Sequence, residues 1–354
     1  MAKIFYSMSG EGRGHAARVA VLSESLRQQH EVVLFAPHQA YDFLEPRFAD
    51  ASSGVQLRRI PGLRFVYKRG NMHLTKSVVA GMRFWATMGP LVKQLVQCMR
   101  DEKPDLVITD FEPLLPRAAQ RVGIPYVSVD HQHVLTACDL SALPRSLRMS
   151  VFAMRWAIDA HYRRQVATIA TAFYHPPLLD RYPATLLVDP IVRQTIREAE
   201  VTTGDYLVSY LRPHTPPTVM DMLRDASCPM RVYGLGERPP SGNMEFRDFH
   251  PQRFVEDLAG CRAMVGAAGN QSLSESLYLG KPVLALPESS HFEQRINAFY
   301  LQHMGYGRSV DLDRFTATDL SGFLENLDGF QVAQKRGREG NPAVLEAINR
   351  LLDP

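Results

Sequence analysis

Residues 264–301 read MVGAAGNQSLSESLYLGKPVLALPESSHFEQRINAFYL: a strand, a small-residue turn, a helix and a second strand in succession. The apolar run Ala263 to Ala267 predicts a buried parallel strand, and Gly266, Ala267, Ala268 and Gly269 turn the chain. Asn270 stands where a helix N-cap belongs, Ser272 to Leu279 is helical, Gly280 stops the helix, and Pro282 to Pro287 (PVLALP) is the next buried strand. A helix opening on small residues leaves free amides at its positive end, which suits an anion such as a phosphate. Many α/β crossovers have such a turn, so the turn alone identifies no ligand. Its sequel says more. Glu275 lies one turn into the helix, where a carboxylate can accept two hydroxyl hydrogen bonds from a ribose, and His291, Glu293, Gln294 and Asn297 cluster at the start of the following helix as a polar grip for a sugar.

In this order the residues resemble the donor half of inverting GT-B glycosyltransferases, a group that includes the UDP-glucuronosyltransferases and the bacterial lipid II-forming GlcNAc transferases, with a family 28-type donor domain. In that group a Gly-rich turn and helix N-terminus hold a diphosphate, a Glu holds the ribose, and an acid-or-Gln followed by Gln before Asn-Ala holds the sugar. The matching positions here are Gly269, Asn270, Gln271 and Ser272, then Glu275, then Glu293 and Gln294 before Asn297 and Ala298. Retaining enzymes of this fold carry a second Glu eight residues before the first, where this chain has Ala267, so the resemblance implies inversion. It also implies an α/β fold of two facing doubly wound Rossmann-like domains with a ligand cleft between them. The donor expected is a nucleotide-sugar, a UDP-sugar, acting as substrate with no cofactor and no metal.

The whole chain accommodates that architecture. Its 354 residues suffice for two domains, with 45% hydrophobic and 22% charged residues, as in globular protein. No run approaches the ~18 apolar residues of a membrane span. The N-terminal MAKIFYSMSGEGRGH lacks a signal-peptide core, and Cys98, Cys138, Cys228 and Cys261 have neither metal nor redox spacing, which points to the cytoplasm. Residues 1–195 hold 24 Lys and Arg against 16 Asp and Glu, while the remainder holds 16 against 21. This asymmetry favours an anionic partner for the first half. Nucleic-acid motifs are absent, so nucleic acid is not the partner expected.

The chain opens with a βαβ unit: strand Lys3 to Met8, a turn with Gly10, Gly12 and Gly14, helix His15 to Gln29, and strand Glu31 to Ala36. It is no dinucleotide fingerprint, because the glycines are spaced one residue short and Pro37-His38, not an acid, follows the second strand. The GT-B group has a similar Gly-rich first turn ending in His, facing the acceptor. His15 is the candidate general base, since an imidazole titrates near pH 6.5; the alternative is a ring that merely caps its loop. Strand Asp105 to Thr109 leads into Asp110 and Glu112, and strand Tyr126 to Val129 into Asp130, His131 and His133. Ligands of open α/β sheets bind at such carboxyl ends. Asp110 resembles the aspartate that pairs with the base in plant-type relatives. Gly12, Arg13, Gly14, Glu112, Asp130, His131 and His133 are assigned to the acceptor side. Strand alternation would also put His131 and His133 on one face, the alternative of a metal site with Asp130.

Arg58 to Trp85 and Pro144 to Arg164 mix arginines and lysines with aromatic and aliphatic residues, among them Arg145, Arg148, Arg155, Arg163 and Arg164. Each reads either as a core helix with a solvated basic face or as a peripheral contact with an anionic membrane, on the inner face of the cell. If both share a face, a lipid-linked or otherwise anionic hydroxyl acceptor follows. A polar linker, Gln194 to Thr203, separates an acceptor domain, 1–195, from a donor domain, 196–330, which opens with strand Asp205 to Tyr210 and places Arg212 on the donor side. Residues 331–354 hold a last amphipathic helix that, by analogy with GT-B folds, crosses back to the first domain. Asp311-Leu312-Asp313 spells a metal motif of another glycosyltransferase fold but precedes a helix, where acids ordinarily cap. The function expected is inverting sugar transfer from a nucleoside diphosphate to a hydroxyl. The rivals are a nucleotide-sugar 2-epimerase on the same fold and a non-catalytic nucleotide-sugar-binding protein.

Overall fold

The computed structural model describes the chain except for residues 11–13, 49, 51–52, 63–66, 69–70, 73, 214, 335–336 and 353–354. Two compact units divide it: Met1–Lys68, Met72–Ile191 and Gly340–Pro354 form one, and Val192–Glu339 with Arg69–Asn71 the other.

In the first unit the elements run β1 (Lys3–Met8), α1 (Gly14–Leu26), β2 (Glu31–Ala36), α2 (His38–Phe48), β3 (Val55–Arg59), then the short strands β4 (Tyr67–Lys68) and β5 (Asn71–Met72). They continue as α3 (Leu74–Glu102), β6 (Leu106–Asp110), α4 (Leu114–Val122), β7 (Tyr126–Asp130), α5 (Val134–Ala137), α6 (Arg145–His161), β8 (Ala167–Thr171) and β9 (Thr185–Val188). The seven-stranded sheet has the order β3-β2-β1-β6-β7-β8-β9, and every pairing is parallel. Continuous runs such as VVLFA and LVIT require burial on both faces, which helices supply in parallel sheets. Strand order reverses between β1 and β6, which opens a crevice at their carboxyl ends. Helix α1 is apolar from Ala16 to Leu22 apart from Arg18 because that stretch is core: Ala16, Val19, Ala20 and Leu22 are buried against Ile4, Tyr6 and Leu34. The C-terminal helix, Asn341–Leu352, joins the same core through Val344 and Ile348. The chain can enter that helix only through glycine, since a Cβ on Gly340 would lie 2.0 Å from the Asp189 carbonyl oxygen.

The second unit comprises α7 (Gln194–Arg197), β10 (Leu207–Tyr210), α8 (Pro217–Arg224), β11 (Met230–Tyr233), β12 (Met244–Phe246), α9 (Pro251–Gly260), β13 (Ala263–Gly266), α10 (Asn270–Tyr278), β14 (Val283–Ala285), α11 (Phe292–His303), β15 (Gly307–Ser309) and α12 (Ala317–Leu324). Its six strands are ordered β12-β11-β10-β13-β14-β15, again all parallel, with the reversal between β10 and β13. Two local expectations are corrected. The stretch expected as a linker opens with α7, which buries Ile196. Asn270 is the first residue of α10, not its cap: Gly269, extended at φ −70° and ψ 136°, is the N-cap, and no side chain caps it. The acids at Asp311 and Asp313 precede α12, whose start is a capping box between Thr316 and Asp319. Among the described residues no helix is long and apolar enough to cross a membrane.

Candidate functional site

Asp110 ends β6 in register with Met8, which ends β1, so the two chain turns leave the sheet side by side. Helix α1 opens at Gly14 and puts His15 and Arg18 one helical turn apart, on one face. His15 Nδ1 lies 2.7 Å from Asp110 Oδ1. Arg18 closes on the same carboxylate with a fork, Nε to Oδ2 and Nη2 to Oδ1, both at 2.8 Å. Asp110 is fully buried and Arg18 nearly so, whereas the His15 side chain keeps 14% exposure. Burial would push the Asp110 carboxyl up, but Arg18 and His15 beside it outweigh burial and hold it below the usual carboxylate range. An ionised carboxylate only accepts, so the proton in this contact is one that His15 Nδ1 donates, and Nε2 is the ring nitrogen turned away from the acid. Phe111, the next residue, adopts φ 58°, a left-handed conformation that costs an aromatic residue roughly 1–3 kcal/mol. Its ring stacks between His15, at 6.5 Å, and Tyr162, at 6.0 Å.

The other residues assigned to this side divide. Gly14 starts α1, while Gly12 and Arg13 lie outside the described residues. Glu112 is buried, and its two oxygens accept the Leu114 and Leu115 amides at 2.7 and 3.0 Å, so its carboxylate caps α4. Burial pushes its carboxyl up to about 7 despite those bonds. Asp130 accepts from the His133 amide at 2.9 Å and faces His133 Nδ1 at 2.7 Å, closing the turn into α5. His131 Nδ1 donates to the Thr171 carbonyl at 2.8 Å. Alternation does not apply to His131 and His133, because β7 ends at Asp130 and both lie in the turn. Among the described residues no group of three or more His, Cys, Asp or Glu is placed to hold a metal ion.

At the β10–β13 reversal of the second unit the chemistry is different. Gly266 pairs opposite Tyr210, and a Cβ there would sit 2.9 Å from the Tyr210 carbonyl oxygen, so the two strand ends approach as only glycine permits. A small cavity, partly open to solvent, lies beside them, lined by Tyr210, Arg212, Thr215, Gly266, Ala267 and Glu288 among others. The first amide of α10 to bond back within the helix is Leu273, to the Gly269 carbonyl at 3.1 Å. Ser272 Oγ donates to the Gly269 carbonyl at 3.0 Å, and Asn297 Nδ2 to that of Ala268 at 3.1 Å, so both side chains fix the turn. Gln294 Oε1 accepts the Glu288 amide at 3.0 Å, and His291 caps α11. Glu293 is half-buried in the first turn of that helix.

Glu275 is 2% exposed, and its oxygens are held by a fork from Arg193, both bonds 2.6 Å, and by Gln271 Nε2 at 2.9 Å. The structure therefore brings Glu275 and Gln271 together, with an arginine that sequence reasoning missed. Arg212 likewise donates to Glu288 at 3.0 Å across the cavity. The Arg193 and Glu288 pairings span 82 and 76 residues and leave no local signal. Arg18 did leave one: a lone guanidinium inside the apolar run AARVAVL.

Two all-parallel α/β units, each with its functional groups gathered where the strand order reverses, define a GT-B glycosyltransferase. The chain matches the model of glycosyl transferase family 1 over residues 2–328 and belongs to that family. An uncharacterized glycosyltransferase of Methanosarcina mazei is 25% identical over 335 residues, covering 87% of this chain and 85% of that protein. The UDP-N-acetylglucosamine–N-acetylmuramyl-(pentapeptide) pyrophosphoryl-undecaprenol N-acetylglucosamine transferase 3 of Bacillus cereus is 24% identical over 200 residues, 47% of this chain and 55% of its own length. Among solved structures, a UDP-glucosyltransferase of Polygonum tinctorium aligns with a TM-score of 0.69 at 12% identity, covering 100% of this chain and 99% of that one.

Proposed function

We propose that this glycosyltransferase moves a sugar from a UDP-sugar to a hydroxyl acceptor with inversion at the anomeric carbon. The observation that supports it most is the His15–Asp110–Arg18 cluster, with Nδ1 turned to the buried acid. His15 Nε2 takes the acceptor's hydroxyl proton as the acceptor oxygen bonds to the anomeric carbon and the bond to the diphosphate breaks. Asp110 orients the ring and balances the imidazolium. The α10 amides, with Gly269 to Ser272, receive the departing diphosphate, the stabilisation that a cation supplies elsewhere. Glu275 accepts from the ribose on its remaining lone pairs while Arg193 holds its plane. Arg212, His291, Glu293, Gln294 and Asn297 complete the donor side. The Bacillus relative's name describes a UDP-sugar donor and an undecaprenol-linked acceptor, and the Polygonum structure a UDP-glucosyltransferase, which favours uridine here and keeps a lipid-linked acceptor in view.

His15→Ala is expected to lower kcat by roughly 10²–10⁴, while UDP still raises the melting temperature as in the wild type. Normal turnover by the variant would remove the base assignment. Sugar product appearing from donor without acceptor would replace transfer by 2-epimerisation. Transfer that survives chelation is the expected result for a diphosphate held by amides, and its loss on chelation would assign that task to a metal.

A further inference from the structure

We propose that α6 docks the protein on an anionic lipid surface, with Met149, Phe152 and Trp156 entering the headgroup layer and Arg145, Arg148, Arg163 and Arg164 meeting lipid phosphates. The three apolar side chains are 69%, 78% and 76% exposed. Their spacing of three and four residues aligns them in one stripe along the helix. Single exposed apolar residues are ordinary, but a stripe of large ones marks an interaction surface. It is not a displaced core face, because the opposite face already anchors the helix. Leu147, Val151 and Ile158 are buried there, and Arg155, expected among the surface arginines, donates inward to the Leu135 and Cys138 carbonyls.

The charge around the stripe selects the occupant. Arg145, Arg148, Arg163 and Arg164 are exposed, and among the described residues none forms an ion pair. Asp159 is the one exposed acid on the helix, and it accepts from the Tyr182 hydroxyl. An amphipathic helix with aromatic anchors and a basic rim fits an anionic interface, where each arginine strengthens binding roughly fivefold. A second copy fits poorly: a two-fold pairing would set the arginines of one copy against those of the other. The first basic stretch weighs less, since Arg58 pairs with Glu102 and Arg59 with Asp42. There, too, the Arg117 guanidinium lies 5.0 Å from the Trp85 ring, and residues 63–66, 69–70 and 73 lie outside the described residues. The inference is independent of the sugar chemistry.

Co-sedimentation with vesicles of phosphatidylcholine, alone or mixed with phosphatidylglycerol, tests it on the full chain. The wild type is expected to sediment with the mixed vesicles, less so as salt rises, and not with phosphatidylcholine alone. Met149→Ser/Phe152→Ser/Trp156→Ser and Arg145→Glu/Arg148→Glu should each lower the partition coefficient at least about tenfold with unchanged melting temperatures. In a Trp85→Phe background, Trp156 emission should shift to the blue on mixed vesicles alone. Absence of wild-type binding, equal binding by the variants, or a solution dimer that the triple variant abolishes would each overturn the proposal.

Discussion

At the β1–β6 reversal the first unit gathers a buried acid, a buried guanidinium and a partly exposed imidazole within 3.3 Å of one another, whereas at the β10–β13 reversal the second unit presents Gly266, Ala267 and the start of α10. Both reversals are produced by the same parallel topology, and both gather polar groups at strand ends. The first stores charge that must be held in place. The second keeps its own ion pair, Arg193 with the buried Glu275, one turn inside α10 and offers small residues and a helix start at its strand ends. A proton-transferring site needs the former, because an acid that orients an imidazole works only while ionised. A diphosphate site needs the latter, because its ligand brings the charge.

The difference predicts where single substitutions will be costly. Arg18→Ala leaves Asp110 buried and ionised without its fork, and removing one partner of such a pair costs about 3–5 kcal/mol. Denaturant unfolding should show that loss. Arg18→Ala combined with Asp110→Ala should cost less than the sum of the two single changes by more than about 1 kcal/mol. Additive losses would show that the pair is not coupled and would dissolve the contrast between the units.

The first unit should also be the pH-sensitive one. Glu112, with its carboxyl raised to about 7 by burial, binds its proton more tightly folded than unfolded. Stability from this group is therefore fully present below the ordinary carboxylate range and falls as pH rises towards 7, by an amount of the order of 3 kcal/mol. Glu112→Gln should flatten the melting temperature between pH 5 and 8, roughly the window of that titration. An unchanged slope would place the titrating group elsewhere.

How much of this is legible in the chain follows from how local each signal is. The apolar strands, the small-residue turn and α10 are legible because period and punctuation are short-range, and the order of Gly269, Glu275 and Glu293-Gln294 points to the GT-B group. Glu112 reads as a ligand contact, although an acid just ahead of Leu114 is also a helix-start pattern, and the structure uses it that way. Asn270 reads as a cap because its type favours that role, yet Gly269 already has the extended backbone a cap requires. Arg193 is beyond reach: nothing near it in sequence says that its guanidinium meets an acid 82 residues away.

That pairing gives the next effect in size. Glu275→Gln removes the charge that Arg193 grips and one acceptor from the proposed ribose site, so UDP affinity should fall roughly 10–100-fold, as for a lost charged hydrogen bond. Calorimetric titration with UDP measures it, and an unchanged affinity would reduce the Arg193–Glu275 fork to scaffolding.

The smallest effect separates space from structure within the second unit itself. A Cβ at Gly269 would meet only Ser272 Oγ, at 3.5 Å, and the backbone there suits alanine. Gly269→Ala should therefore leave stability within about 1 kcal/mol of the wild type, or raise it slightly. At Gly266 the added Cβ would face the Tyr210 backbone oxygen at 2.9 Å, so Gly266→Ala must push β13 and β10 apart and lower stability. If α10 opens on a diphosphate, the methyl group added by Gly269→Ala shields the amides and weakens UDP binding a few-fold, about 1 kcal/mol or less, without disturbing the fold. Weakened UDP binding at unaltered stability is what a site built from empty space and dipoles requires. A Gly269→Ala variant that binds UDP as before would move the anion away from this helix end, whatever the stability measurement shows.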